Sequence, residues 1–217
     1  MEASKAGDFY GLLEGHTSET ADAEQAYTQS LLGGTETWVK LPKGRWPKEW
    51  VGKYRDPVVR LRLALYGHPD SGGVWEQKCD AHLQSVGFEP IVDWRSCYFH
   101  KEWQLFLVVY VDDFKLSGPK ANMAKGWKVI RKGINMGDPE PLGKFLGCDH
   151  QIGSARLVNG ELRPCVAGDR LPGSHRTMAY NMGDFLKQCV ERYKEIGGPI
   201  AQKLRVVPTP YIDESLE

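Results

Sequence analysis

The chain has 217 residues, of which 41% are apolar, and its 28 basic side chains balance 28 acidic ones. This composition is typical of one folded domain with a small appendage and argues against disorder over the whole length. The sequence has no signal peptide, no apolar run of the ~20 residues that a membrane span needs, and five scattered cysteines; we therefore expect an intracellular protein, cytoplasmic or nuclear, with reduced thiols.

Charge is unevenly distributed along the chain. Residues 1–30 hold six acidic side chains and one basic one, whereas residues 31–70 hold eight basic against four acidic ones. Residues 115–132 add six basic side chains and no acidic one. A polyanion would meet local positive charge there, although two solvated faces would give the same pattern.

The N-terminal third begins without a periodic pattern. Residues 1–19 are polar and aperiodic, so we expect a disordered lead or the scar of a truncation.

Residues 20–150 read as one mixed α and β unit. Within it, alternating apolar and polar residues predict half-buried strands over 37–42 and 58–67, joined by a loop rich in Pro, Gly and Trp.

The middle of the chain predicts a helix and a meander. VWEQKCDAHLQSVGF (74–88) has apolar residues at helical spacing and a stop at Gly87. SCYFH (96–100), LFLVVYV (105–111) and FKLSG (114–118) predict three antiparallel strands, with the second and third joined by a Val-Asp-Asp turn.

The next segment predicts a weak helix over 121–134, broken by Gly126 and Gly133. A strand candidate, PLGKFLGCDHQI (141–152), follows it.

Residues 151–217 predict a smaller C-terminal unit. RLVNGEL (156–162) suits a hairpin with a type I′ turn at Asn159-Gly160. Residues 163–180 read as loop, and 181–198 as a helix capped by Asn181 that packs on the rest of the protein through an apolar stripe. The stripe consists of Phe185, Leu186, Cys189, Val190, Tyr193 and Ile196.

Two adjacent aspartates, Asp112 and Asp113, end the most apolar segment of the chain. Neighbouring carboxylates repel, and desolvation raises a carboxyl pKa unless a cation compensates. Mg²⁺ prefers such hard oxygen ligands, so the pair is a reasonable half-site for phosphoryl chemistry. Asp-Asp is also an ordinary turn sequence, which leaves a purely structural role open.

Five segments of the chain, taken in order, resemble the reverse transcriptase of Ty1/copia-type retrotransposons. Tyr110-Val111-Asp112-Asp113, between LFLVV and FKLSG, is similar to the family's YVDD hairpin. The other similar segments are TADAEQAYTQSLLGGTETWVKLP (20–42), LRLALYGHPDSGGVWEQKCDAHLQSVGF (61–88), PLGKFLG (141–147) and FLKQCVERYKEIGG…VVPTP (185–210).

The resemblance implies an α+β fold, the right-hand polymerase palm, in which helices lie on one face of an antiparallel sheet. Residues 36–70 would form partial fingers, and 151–217 the start of a thumb or connection. RNase H and integrase portions, and the N-terminal part of the fingers, would be absent from this chain, as in an N-terminally truncated piece of a Pol polyprotein.

The resemblance also implies roles for single residues. Asp22, Asp112 and Asp113 would be the catalytic carboxylates that hold two Mg²⁺ ions, with Mn²⁺ as a possible substitute. The substrate-binding residues would be Tyr27, Tyr110 and Gly67, and the primer-binding residues Phe145, Leu146 and Gly147. The implied partners are an RNA template, a DNA primer and a deoxynucleoside triphosphate (dNTP).

The sequence departs from the family's pattern at two places. Residues 14–22 are polar where the family has an apolar strand, so the residues alone do not support the strand that would present Asp22. Residues 68–73 lack the usual basic and amide side chains. An inactive remnant is therefore a second interpretation.

A zinc site is a weaker interpretation. Cys79-x-x-His82 and Cys97-x-x-His100 have metal-like spacing, but the first pair lies on a predicted helix and the second ends a strand, unlike a zinc knuckle.

Three functions from different classes remain open. The chain is an RNA-directed DNA polymerase domain, an inactive fragment that binds nucleic acid through residues 40–62 and 115–132, or a structural α+β domain whose Asp-Asp is a turn.

Overall fold

The computed structural model describes residues 2–165 and 174–201. These residues form an α+β fold with antiparallel sheets. The helices are α1 (Glu2–Leu12), α2 (Ser71–Ser85), α3 (Lys120–Ile130) and α4 (Gly183–Ala201). The strands are β1 (His16–Asp22), β2 (Trp38–Lys40), β3 (Val58–Arg60), β4 (Glu89–Pro90), β5 (Cys97–His100), β6 (Leu105–Tyr110), β7 (Asp113–Pro119), β8 (Glu140–Pro141), β9 (Lys144–Phe145), β10 (Cys148–Val158), β11 (Glu161–Pro164) and β12 (Ser174–Asn181).

The main sheet has six strands in the order β4-β5-β6-β7-β1-β8. Its centre is the predicted meander, because β5, β6 and β7 pair antiparallel in sequence order. β1 then adds to the far edge of β7, although almost a hundred residues separate the two strands. A second sheet has the order β11-β10-β12 with β9 on β10, and β2 and β3 form a separate pair.

The main core lies between the sheet and helices α2 and α3. α2 contributes Trp75, Cys79 and Leu83, and α3 contributes Met123, Trp127 and Ile130. They pack against strand residues that alternate with outward-facing ones, including Leu105, Leu107, Val109, Phe114 and Leu116. Helix α2 ends as predicted, since Gly87 takes a positive φ of 94° just beyond it.

Helix α1 lies on the other face of the main sheet, so the expectation of helices on one face alone is wrong. Its Ala3, Ala6 and Tyr10 pack against a smaller cluster on β5 and β6 that contains Phe106 and Val108. The sheet is therefore covered on both faces.

The expectation of a disordered lead over residues 1–19 is also wrong, because α1 and β1 occupy this segment. α1 has no large apolar stripe: its buried residues are Gly7, Asp8 and Gly11. A Cβ on Gly11 would lie 1.9 Å from Oγ of Ser18, so glycine permits the helix to approach β1 closely.

The polar strand β1 forms because its side chains find partners inside the fold. Ser18 and Ser117 share a buried hydrogen bond of 2.8 Å between their hydroxyls. Trp127 donates its indole N–H to Oε2 of Glu19 at 2.7 Å. Hydrogen bonding of this kind removes most of the cost of burying polar groups. The strand that presents Asp22 therefore forms, although the residues alone did not support it.

Of three further expectations, the structure contradicts the first, contradicts the second in part and agrees with the third. Gly126 does not break α3, because the missing side chain leaves room for Leu105 and Leu116 of the sheet. The predicted loop over 163–180 contains the end of β11 and most of β12, while residues 166–173 of that prediction lie outside the described residues. The hairpin turn is as predicted, with Asn159 at φ 52° and Gly160 at φ 83° between β10 and β11.

Helix α4 forms where it was predicted, but most of its apolar stripe is exposed rather than packed on the other described residues. Asn181 Oδ1 accepts the Gly183 N–H at 2.9 Å, and the helix is kinked at Gly198. Phe185, Leu186, Val190, Tyr193 and Ile196 all remain exposed. None of the helices in the described parts of the chain is both long and apolar enough to span a membrane.

Candidate active site

A two-residue hairpin turn carries the adjacent aspartates. β6 and β7 pair antiparallel up to Tyr110 and Asp113, which leaves Val111 and Asp112 as the turn. Val111 has a φ of 56°, a conformation that a β-branched residue adopts only under strain.

Strand β1 brings Asp22 to the same place. Because β1 runs antiparallel beside β7, Asp22 is the register partner of Asp113. The Ala23 N–H, one residue further on, donates to the carbonyl oxygen of Asp112 at 2.7 Å. Three carboxylates from two segments, residues 22 and 112–113, therefore lie at one end of the sheet.

The local electrostatics are those of crowded negative charges. Burial, followed by repulsion from Asp112, raises the pKa of both Asp22 and Asp113 above the ordinary value of 3.8. Among the described residues, no lysine, arginine or histidine forms an ion pair with any of the three carboxylates. A bound cation would relieve this mutual repulsion.

The donor chemistry fits a hard divalent cation such as Mg²⁺. All candidate ligands are carboxylate oxygens, and no ion pair within the described ranges compensates their charges. In the present side-chain conformations, however, no three His, Cys, Asp or Glu residues in the described ranges form a group that could hold a metal ion.

Two tyrosines lie beside the acids. The rings of Tyr27 and Tyr66 are 4.5 Å apart between centroids. Burial and then the charge of Asp112, with a smaller contribution from Asp22, raise the pKa of Tyr66. Sequence reasoning missed Tyr66, although it directly precedes Gly67 in the segment 61–88 that resembles the family.

The other two predicted substrate residues lie in different surroundings. Tyr110 is exposed and lines a cavity of about 350 Å³ together with Tyr27 and Trp75. Gly67 has a φ of 91°, which requires glycine, and a Cβ there would meet nothing within 4 Å. Gly67 is thus a turn residue next to Tyr66.

The predicted primer residues form a tight turn between β9 and β10. Leu146 and Gly147 both have positive φ, and Phe145 is buried before them. The ring of Phe145 lies under Nζ of Lys115, 4.7 Å from its centroid, and Lys115 is two residues beyond Asp113 on β7. The turn is therefore attached to the strand that carries one of the aspartates.

The Cys and His residues of the zinc interpretation serve in packing. Cys79 belongs to the core, where burial raises the pKa of its thiol to about 12. His82 Nε2 contacts the Ile130 carbonyl at 2.8 Å, and the His100 ring stacks on Trp103 at 4.0 Å. These contacts occupy the side chains without a metal.

Comparison with known proteins agrees with the family resemblance seen in the sequence. The family described as "Reverse transcriptase (RNA-dependent DNA polymerase)" matches residues 14–159. The Transposon Ty1-DR4 Gag-Pol polyprotein of Saccharomyces cerevisiae is 35% identical over 78 residues, which cover 36% of this chain and 5% of the relative. The Retrovirus-related Pol polyprotein from transposon RE2 of Arabidopsis thaliana is 27% identical over 132 residues, 59% of this chain and 9% of the relative. The chain thus matches less than a tenth of the length of these relatives.

Proposed function

Because the chain belongs to the reverse transcriptase family and is of the Ty1/copia type, we propose that it carries an RNA-directed DNA polymerase site. The reaction would transfer a nucleotidyl group from a dNTP to the 3′-hydroxyl of a DNA primer paired with an RNA template. The observation that supports this most directly is the convergence of Asp22 with Asp112 and Asp113.

The three aspartates would act as the metal ligands of this reaction. When bound, two Mg²⁺ ions, or Mn²⁺ in their place, would activate the primer hydroxyl and neutralise charge on the triphosphate. Asp22 and Asp113 would hold them from adjacent strands, and Asp112 from the turn between β6 and β7. The raised pKa values of Asp22 and Asp113 fit this role, because mutual repulsion favours binding of a cation.

The tyrosines would bind the incoming nucleotide. Tyr27 would lie under the sugar and disfavour a 2′-hydroxyl, with Tyr66 supporting its ring from one side. Tyr110 would present its exposed ring to the nucleic acid next to the turn of Val111 and Asp112, called the catalytic turn below. Gly67 would permit the backbone turn that places Tyr66.

The turn at Phe145, Leu146 and Gly147 would bind the primer backbone. Its two positive-φ residues project Leu146 into solvent, and buried Phe145 joins the turn to β7 through Lys115. This attachment would keep the primer at a fixed distance from Asp113.

A second candidate function is nucleic-acid binding without catalysis. The pair β2–β3 and its connecting loop carry exposed aromatic side chains and five cations that lack an ion pair within the described residues. The cations are Lys43, Arg45, Lys48, Lys53 and Arg55. Cations interleaved with aromatic rings are typical of surfaces that bind single-stranded nucleic acid.

Primer extension on a defined RNA template, with and without Mg²⁺, tests the first proposal. We expect extension that disappears in Asp112→Asn and persists in Asp138→Asn, a control at an exposed carboxylate paired with Arg131. Extension that survives Asp112→Asn would contradict the metal assignment. Salt-sensitive binding of RNA without extension in the unaltered protein would support the second candidate instead.

A further inference from the structure

The catalytic turn holds a residue in an unfavourable conformation. Val111 occupies the first central position of the two-residue loop with a φ of 56°, while Asp112 keeps a negative φ. Glycine is the residue that favours a positive φ at this position, and valine is among the least suited. The strained conformation needs support from its surroundings to be retained.

Two hydrogen bonds hold the successive carbonyl groups of this turn. Trp75 of α2 donates its indole N–H to the carbonyl oxygen of Val111 at 2.7 Å. The Ala23 N–H, next to Asp22, donates to the carbonyl oxygen of Asp112, also at 2.7 Å. The turn is therefore held by the helix from one side and by β1 from the other.

Trp75 is well placed to fix this geometry. Its side chain is only 2% exposed and packs in the main core near Cys79 and Leu83, so the indole has little freedom to move. A buried indole N–H needs an acceptor, and here the acceptor is the peptide that joins Val111 to Asp112. Rotation of that peptide would change the backbone angles of Asp112 and redirect its carboxylate.

We propose that Trp75 is a positioning residue for the catalytic turn: its indole N–H holds the Val111–Asp112 peptide and thereby aims the Asp112 carboxylate. The proposal rests on the polymerase function proposed above. Trp75 does not touch substrate in this role, because it acts through the backbone of Val111.

The chain provides a matched control. Trp127 is also 2% exposed, belongs to the same core and also donates its indole N–H at 2.7 Å, but to Glu19 of β1 rather than to the turn. Trp75→Phe and Trp127→Phe each remove one buried N–H and the same ring area. A merely structural effect should therefore be similar in the two variants.

Steady-state primer extension separates the two roles. We expect Trp75→Phe to lower kcat by about tenfold or more, with the KM for dNTP and the Kd for primer–template within about twofold of the unaltered protein. Trp127→Phe should leave kcat within about threefold. Equal losses of kcat in both variants, in step with equal losses of thermal stability, would overturn the proposal.

Val111→Gly tests whether the strain matters. Glycine adopts the positive φ freely, so the turn should depend less on the Trp75 N–H. The loss of kcat caused by Trp75→Phe should be several-fold smaller when Val111→Gly is also present. Strict additivity of the two changes would contradict the proposed coupling.

Amide NMR of the same variants gives a readout that does not need activity. In Trp75→Phe we expect the Asp112 and Asp113 amides to exchange faster with solvent or to show a second conformer, whereas in Trp127→Phe they should be unchanged. Unchanged hairpin amides in Trp75→Phe would overturn the proposal. Altered amides in a protein that never extends a primer would instead contradict only the polymerase function.

Discussion

Lys115 Nζ lies 2.6 Å from Oδ1 of Asp8, and both side chains are almost completely inaccessible to solvent. Lys115 also donates to the backbone carbonyl and hydroxyl of Ser4, while Tyr180 donates to Oδ2 of Asp8 at 3.0 Å. His150 Nε2 lies 3.4 Å from the same carboxylate oxygen. This ionic cluster, in which Asp8, Lys115 and His150 are buried and Ser4 and Tyr180 lie at the edge, joins α1 and β7 to the second sheet.

Breaking the Asp8–Lys115 pair should strongly destabilise the protein. Asp8→Leu leaves the Lys115 ammonium buried without a counter-charge, and we expect a loss of about 3–5 kcal/mol in the free energy of unfolding. Adding Lys115→Met should recover much of this loss, because an apolar pair of similar volume avoids burying a charge. Urea-induced unfolding measures both changes.

An exposed pair serves as the control for this experiment. Lys101→Met removes the ion pair with Glu89, whose partners are 74% and 56% exposed, and should cost less than about 1 kcal/mol. A double variant as unstable as Asp8→Leu alone would show that the cluster contributes through packing rather than through its charges.

The stability of the protein should fall in acid because of Asp8. Burial pushes the pKa of Asp8 up, but hydrogen bonds from His150, Lys115 and Tyr180 together outweigh burial and hold the pKa below the ordinary 3.8. Burial also lowers the pKa of Lys115, which has one compensating carboxylate. Asp8 accepts from three side chains, so its titration dominates the acid response of the cluster.

The sign of the effect follows from linkage. A carboxyl group whose pKa is lower in the folded than in the unfolded protein stabilises the fold at every pH above its unfolded pKa. This contribution disappears as the pH falls below about 4 and passes through the folded pKa. The free energy of unfolding, measured in urea between about pH 5 and pH 2, should decline less steeply in Asp8→Asn than in the unaltered protein. Parallel curves would refute the role of Asp8.

The aspartates of the candidate active site should have the opposite effect on stability. Because the pKa of Asp113 is raised, its charged form is disfavoured by folding, and stability is lost as the pH rises from 3.8 through the folded pKa. Asp113→Asn should therefore raise stability at neutral pH without metal, by at most about 1 kcal/mol for a half-exposed group. The gain should disappear near pH 4.

With Mg²⁺ bound, the unaltered protein should become more stable than Asp113→Asn. A ligand that binds the folded state stabilises it, so thermal unfolding should shift upward with Mg²⁺ in the unaltered protein and less so in Asp113→Asn. If Mg²⁺ shifts both proteins equally, Asp113 is not a ligand.

Sugar selection should depend on Tyr27. Tyr27→Ala removes the ring that would lie under the sugar, and we expect incorporation of ribonucleotides relative to deoxynucleotides to rise by about tenfold. Phe9→Ala, at an exposed aromatic residue of α1 outside both candidate surfaces, is the control. Competition between the two nucleotides in single-nucleotide extension measures the ratio, and an unchanged ratio would exclude Tyr27 from the sugar site.

Sequence patterns predicted the elements whose stability is local or strongly apolar. The meander of β5, β6 and β7 and helix α2 have clear alternation or helical spacing, so their existence could be deduced from neighbouring residues. Helix α1 and strand β1 could not, because Asp8 and Ser18 are stabilised by Lys115 and Ser117, about a hundred residues away.

The candidate site was predictable only in part for the same reason. The hairpin that carries Asp112 and Asp113 could be predicted from one continuous segment of the sequence. Asp22 was predicted only from the resemblance to the family. The supporting groups, Tyr66 and the Trp75 N–H, act through contacts that no local pattern indicates. α4 illustrates the converse, since its periodicity predicts a helix but does not reveal whether the apolar stripe is covered.

Two glycines in helices should respond oppositely to alanine. Gly126 in α3 faces the sheet, where a Cβ would lie 2.6 Å from Leu105 Cδ1 and 3.0 Å from Leu116 Cδ2. The overlap costs about 1–3 kcal/mol, more than the roughly 1 kcal/mol gained from better helix propensity. Gly73 in α2 has open space around its Cβ position, so Gly73→Ala should stabilise the protein by about 0.5–1 kcal/mol. Thermal unfolding of the two variants compares them directly, and stabilisation by Gly126→Ala would show that α3 does not pack against β6 and β7 as closely as described.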